Sequence, residues 1–131
     1  MDHLELLENK IHDTRIEKGI TPTYLVSKGF VLPTVYRIEK HGNYLIDTLF
    51  KLLDELGLRI RVGDKTVNNE VELGEILRDI REEQKLTHLD IIFKSKLTAM
   101  RIVSVEKGRN YEKKTLNSYL DALGIGTIEV E

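Results

Sequence analysis

Cysteine and tryptophan are absent from this 131-residue chain, and only two prolines occur. Without cysteine, disulfides, thiolate zinc sites and thiol nucleophiles are excluded, and a reducing, cytoplasmic setting is expected. No apolar run approaches the roughly 20 residues of a membrane span, so no membrane association is expected. The opening stretch MDHLELLENKIHD is acidic and amphipathic, unlike the basic-then-apolar pattern of a secretory signal. Neither sign of charge dominates: 20 basic residues stand against 22 acidic ones, for a net charge of −2. The mean charge therefore points to no anionic partner. There is also no G-x-G-x-x-G, no phosphate-binding loop and no G-x-S-x-G nucleophile motif. Paired carboxylates such as Glu82 and Glu83 fall on a charged helix face. The histidines at 3, 12, 41 and 88 have no ligand spacing. The expectation is a protein that is not an enzyme and takes no cofactor and no metal. What is present, 40% apolar and 32% charged residues, suits a folded chain.

The chain repeats itself. Residues 39–57, EKHGNYLIDTLFKLLDELG, align with residues 106–124, EKGRNYEKKTLNSYLDALG, at an offset of 67. Ten of these nineteen positions are identical: Glu39, Lys40, Asn43, Tyr44, Thr48, Leu49, Leu53, Asp54, Leu56 and Gly57. Upstream the offset is 66, where Arg15, Glu17, Thr21 and Lys28 match Arg81, Glu83, Thr87 and Lys94. One unit of about 65 residues is thus present twice, with a one-residue deletion in the first copy near residues 29–31. So small a unit buries only about 60% of its unfolded surface and gains from packing on its twin. The division expected is unit 1 over 1–62, a polar linker over 63–70 (GDKTVNNE) and unit 2 over 71–131.

Each unit reads as a succession of short helices and then a strand. Leu4, Leu7, Ile11 and Thr14 share a helical face, as do Leu73, Ile76, Leu77 and Ile80. Thr21 is placed to cap a second helix with Pro22 in its first turn, and Thr87 with Asp90 has capping-box spacing. Second helices are expected over 22–28 and 88–94, third helices over 33–40 and 99–107, and later helical segments over 46–56 and 113–123. Gly57 and Gly124 serve as C-caps. The alternating segments LRIRV (58–62) and TIEVE (127–131) are strands placed to pair, with Arg59 and Arg61 opposite Glu129 and Glu131.

A short helix, a tight turn and a second helix make a helix-turn-helix. Residues 86–108, LTHLDIIFKSKLTAMRIVSVEKG, resemble the Cro/cI (XRE) family of DNA-binding domains. The resemblance is carried by Leu86, Thr87, His88, Ile91 and Ile92, then Lys96, Leu97 and Thr98, then Ile102, Val105, Glu106 and Gly108. Unit 1 carries it with Ile20, Thr21, Leu25 and Val26, then Val35, Ile38, Glu39 and Gly42. The chain departs from the family pattern where Pro22 and His88 replace a glutamine, where Val26 and Ile92 replace a small residue, and where Lys96 replaces the turn glycine. The implied fold is mainly α, with two tandem lambda-repressor-like helix-turn-helix units, each closed by a short β-strand.

The resemblance implies that the third helix of each unit lies in a major groove. Unit 1 then presents Leu32, Pro33, Thr34, Tyr36, Arg37 and Lys40; unit 2 presents Ala99, Met100, Arg101, Val103, Ser104, Lys107 and Arg109, with His88 at the phosphates. Val35, Ile38, Ile102 and Val105 face inward. Arg37 and Arg101 suit guanine O6 and N7, and Ala99 or Pro33 a thymine methyl. Between Lys94 and Lys114 seven basic residues meet only Glu106 and Glu112, the local basicity that DNA requires. Arg15 and Arg81 are expected to pair with Glu39 and Glu106. Tyr44 and Tyr111 are expected to pack over the start of the fourth helices. The expected partner is double-stranded DNA, bound by a monomer acting as a pseudo-dimer or by a weak homodimer, in transcription regulation of a bacterium or mobile element. The alternative is a protein partner, as for an antitoxin or accessory factor.

Overall fold

The computed structural model describes residues 2–131. Its first half runs α1 (Glu5–Glu17), α2 (Pro22–Ser27), α3 (Leu32–Glu39), α4 (Ile46–Leu56), β1 (Ile60–Val62) and β2 (Lys65–Val67). The second runs α5 (Glu70–Glu83), α6 (His88–Ser95), α7 (Ala99–Lys107), α8 (Lys113–Leu123) and β3 (Glu129–Val130). The protein is therefore mainly α, with one small antiparallel sheet, and the four-helix order occurs twice. Among the described residues no helix is long and apolar enough to cross a membrane.

Local chemistry sets the helix ends. Thr21, Thr87 and Thr98 each accept a hydrogen bond from the backbone N–H three residues on, and Thr87 with Asp90 forms a full capping box. Gly57 and Gly124 close α4 and α8 in the left-handed conformation. Lys96 takes the same conformation (φ 62°) at the end of α6. The deleted residue of the first copy is absorbed there: α2 has six residues against eight in α6.

The helices enclose one continuous core that spans both halves. Leu4, Leu7, Ile11 and Thr14 are all buried, as are Val35, Ile38, Ile102 and Val105. In both halves the first helix packs on the third, α1 on α3 and α5 on α7.

The sheet order is β2-β1-β3. β1 pairs with β3 antiparallel, Ile60 opposite Val130 and Arg61 opposite Glu129. Arg61 Nη2 donates to Glu129 at 2.5 Å. Arg59 does not meet the Glu131 carboxylate: its guanidinium donates to Asn68 at 3.0 Å, and the Thr66 hydroxyl donates to Glu131 at 2.6 Å. The segment 63–70 is more than a linker. It holds β2, which returns along β1 through a two-residue turn with Gly63 at φ 63°. Glycine at the first central position is the preference of a II′ hairpin. Burying Val67, 1% exposed, draws this polar segment onto the core.

The halves meet about a local two-fold relation. Leu45 and Glu112, equivalent in the repeat, form an isolated antiparallel bridge. Around it Ile46 N–H donates to Tyr111 O (3.0 Å) and Lys113 N–H to Tyr44 O (2.9 Å), again equivalent pairs at an offset of 67. Each tyrosine thus stands at the start of the other half's last helix.

Candidate nucleic-acid interface

α3 buries Val35 and Ile38, and α7 buries Ile102, Val105 and Glu106. In α7, Ile102 and Val105 point inward; Met100, Val103, Ser104 and Lys107, at helical spacings of three, four and seven, form the outward stripe. The equivalent stripe of α3 is Pro33, Tyr36, Arg37 and Lys40, against buried Val35 and Ile38. The structure thus sets most of the expected contact residues on two equivalent faces. Pro33, Tyr36, Arg37, Lys40, Ala99, Met100, Arg101, Lys107 and Arg109 are exposed, and Thr34 and Ser104 are half-buried.

The repeat does not superpose the two arginines. Arg37 aligns with Ser104, whereas Arg101 aligns with Thr34, one turn nearer the helix start. The two faces therefore carry their guanidinium groups at different heights.

The electrostatics of these faces differ from those of the core. Among the described residues, Arg37, Lys40, Lys94, Lys96, Arg101, Lys107 and Arg109 have no carboxylate within salt-bridge distance. The other arginine pair is spent internally, as expected. Arg15 Nε donates to Glu39 Oε1 (2.9 Å) and its Nη1 to Ile20 O (3.2 Å). Arg81 donates to both oxygens of Glu106 (2.7 and 3.1 Å) and to Leu86 O. Each clamp fixes the first helix, the start of the second and the end of the third relative to one another.

Among the expected contact residues, His88 also has an internal partner. Its Nε2 lies 3.1 Å from Glu106 Oε1, beside the Arg81 clamp, and 40% of its side chain is exposed. The reason lies in Glu106, whose carboxylate also accepts the buried Tyr119 hydroxyl at 2.5 Å. Burial pushes the Glu106 carboxyl up, but hydrogen bonds from Arg81, Tyr119 and His88 outweigh this and hold it below its ordinary value. In unit 1 the place of His88 is Pro22, and His12 from α1 completes Glu39 instead, at 2.8 Å. The Ser104 hydroxyl is also drawn inward and donates to Met100 O at 3.0 Å.

The sequence did not single out Leu89 and Phe93, which are 59% and 76% exposed. Four residues apart on α6, they share an outward face. Nothing in the pattern marks them, because α6 is apolar on every side (Leu89, Ile91, Ile92, Phe93).

A second polar centre joins the halves. Glu8 is fully buried and accepts hydrogen bonds from the Tyr44 hydroxyl (2.5 Å) and the Lys113 ammonium (2.8 Å to Oε2), with His41 Nδ1 2.8 Å from Oε1. Lys113 Nζ also reaches Asp2 (2.9 Å) and His41 O (3.2 Å). Asp2, Glu8 and His41 present ligand atoms within 4.8 Å of one another. That space belongs to the ammonium, which balances the carboxylates. Burial and the Glu8 charge raise the Tyr44 phenol well above its ordinary value, so it is a permanent donor. The chain matches no family model, and no curated protein is found to be similar to it.

Proposed function

We propose that the protein binds double-stranded DNA sequence-specifically, using α2–α3 and α6–α7 as two Cro/cI-type helix-turn-helix units held in one chain as a pseudo-dimer. The observation that carries this reading is the pair of outward stripes at repeat-equivalent positions on α3 and α7, in halves that pair through the equivalent residues Leu45 and Glu112, with cations near them in sequence that form no internal salt bridge. A polyanion supplies the missing counter-charge, and helices related by a two-fold suit successive major grooves about 34 Å apart. The natural role of such a protein is transcriptional regulation in a bacterium or a mobile element. The unequal heights of Arg37 and Arg101 call for two dissimilar half-sites rather than a perfect palindrome.

The test is titration of the full-length protein against genomic fragments at two salt concentrations. Specific binding that weakens steeply with salt is expected. Replacing both Arg37 and Arg101 with alanine should lower specific affinity at least tenfold, since one bidentate guanine contact is worth about 1–3 kcal/mol. Binding without sequence preference, or indifference to salt, overturns the proposal.

A second reading, a protein-docking module, is favoured by the exposure of Leu89, Phe93 and Met100 on unit 2, since clustered exposed apolar side chains mark interaction surfaces. Unchanged DNA affinity in the double arginine variant would favour it.

A further inference from the structure

The outward face of α7 offers a base edge very little to bond with. Met100 is 79% exposed and Val103 37%, and Ala99 is exposed beside them. The two hydroxyls of this stretch are turned to the helix's own backbone: Thr98 Oγ1 accepts from Arg101 N–H at 3.2 Å, and Ser104 Oγ donates to Met100 O at 3.0 Å. From 98 to 104 the Arg101 guanidinium is then the one charged donor, beside the O–H of the capping Thr98. The matching stretch of α3 instead presents the Tyr36 hydroxyl and the Arg37 guanidinium on its stripe.

The chain around this helix is rich in cations: Lys94, Lys96, Arg101, Lys107 and Arg109 form no salt bridge among the described residues. Exposed apolar side chains in a cation-rich segment complement a polyanion that carries an apolar feature between its charges. In the major groove there is one such feature, the C5-methyl group of thymine. 5-Methylcytosine bears the same group at the same ring position.

We infer that unit 2 recognises its half-site chiefly through pyrimidine C5-methyl groups, of thymine or 5-methylcytosine, packed against Met100, Val103 and Ala99, with Arg101 adding a single guanine contact. The unbranched Met100 side chain, with three rotatable bonds, can follow a methyl group at either of two adjacent base steps. Unit 1 reads its half through hydrogen bonds, so the two halves of one operator are discriminated by different chemistry. The inference rests on the DNA-binding reading above.

The experiment begins with selection of preferred duplexes from a random pool by the full-length protein. The half contacted by unit 2 is identified as the one whose protection changes in the Met100→Ala variant. Thymines are then replaced one at a time by uracil, which lacks only the methyl group. Each replacement in the unit 2 half should weaken binding about fourfold, the equivalent of one buried methylene, and replacements in the other half should change it less than twofold. Met100→Ala should bind thymine duplexes more weakly than the wild type does and should show a smaller loss on uracil replacement. Cytosine and 5-methylcytosine at the same positions separate the two sources. Recovery with 5-methylcytosine shows that both methylated pyrimidines are read, and a uracil penalty without recovery assigns the contact to thymine alone. Specific binding that is indifferent to uracil in the unit 2 half overturns the inference and leaves the DNA-binding proposal standing. Failure to select any sequence overturns both.

Discussion

Two tyrosines at equivalent positions have opposite surroundings. The Tyr44 hydroxyl donates to buried Glu8 at 2.5 Å. The Tyr111 hydroxyl, equally buried, has no hydrogen-bond partner among the described residues, because the place of Glu8 in the second copy is taken by Gly74. Burial, with the nearby Glu70 carboxylate, pushes the Tyr111 phenol far above its ordinary value, so it too stays protonated. Removing one partner of a buried hydrogen bond costs the other its desolvation, about 1–3 kcal/mol, whereas removing an unpartnered hydroxyl costs nothing of the kind. Tyr44→Phe should therefore lower the unfolding free energy by about 2 kcal/mol, and Tyr111→Phe should leave it unchanged or raise it slightly. Urea denaturation of the two variants side by side measures the contrast. Equal losses would show that the Tyr44–Glu8 bond is energetically idle.

At the scale of elements, Gly74 decides how closely α5 can approach α7. A Cβ built there would lie 2.5 Å from Glu106 O and 2.6 Å from Val105 O, both backbone atoms at the end of the candidate recognition helix. Alanine gains about 1 kcal/mol in helix propensity over glycine, but such overlap costs about 1–3 kcal/mol or more because α5 must move. Gly74→Ala should be destabilising by about 2 kcal/mol net; a stabilised variant in thermal melts would refute the close contact. The helices themselves were legible in the sequence, as were several of their caps, because Thr21, Thr87 and the C-cap glycines act locally. The Arg–Glu clamps were legible because the repeat presents them twice. β2 was not, since a single apolar residue, Val67, marks it within a polar stretch. The fate of His88 was also hidden, because Tyr119, Arg81 and His88 converge on Glu106 only in three dimensions. The outward residues of α3 and α7 were expected from the resemblance, but the turn of the Ser104 hydroxyl onto Met100 O depends on a rotamer that no pattern encodes.

For the molecule as a whole, the decisive contact is Lys113 of the second half reaching Glu8 of the first. A fully buried carboxylate and an almost fully buried ammonium face each other there, Glu8 being held also by Tyr44 and His41 and Lys113 also by Asp2, where α8 meets α1 and the 41–43 loop. Removing one member of a buried ion pair costs about 3–5 kcal/mol, because the remaining charge loses its ionic partner. Lys113→Met keeps most of the side-chain volume, so the charge is what changes. It should lower stability by about that amount, and the loss should be felt equally in both halves, because one core runs through them and equivalent backbone bonds join them at Tyr44 and Tyr111. Adding Glu8→Gln to Lys113→Met removes the stranded charge and should recover most of the loss. Amide hydrogen exchange in urea reads the halves separately: α1 and α4 should lose protection in step with α5 and α8. Loss confined to the first half would mean that the two units fold independently, and the fixed spacing that a single-chain pseudo-dimer needs on DNA would then have to come from the duplex itself.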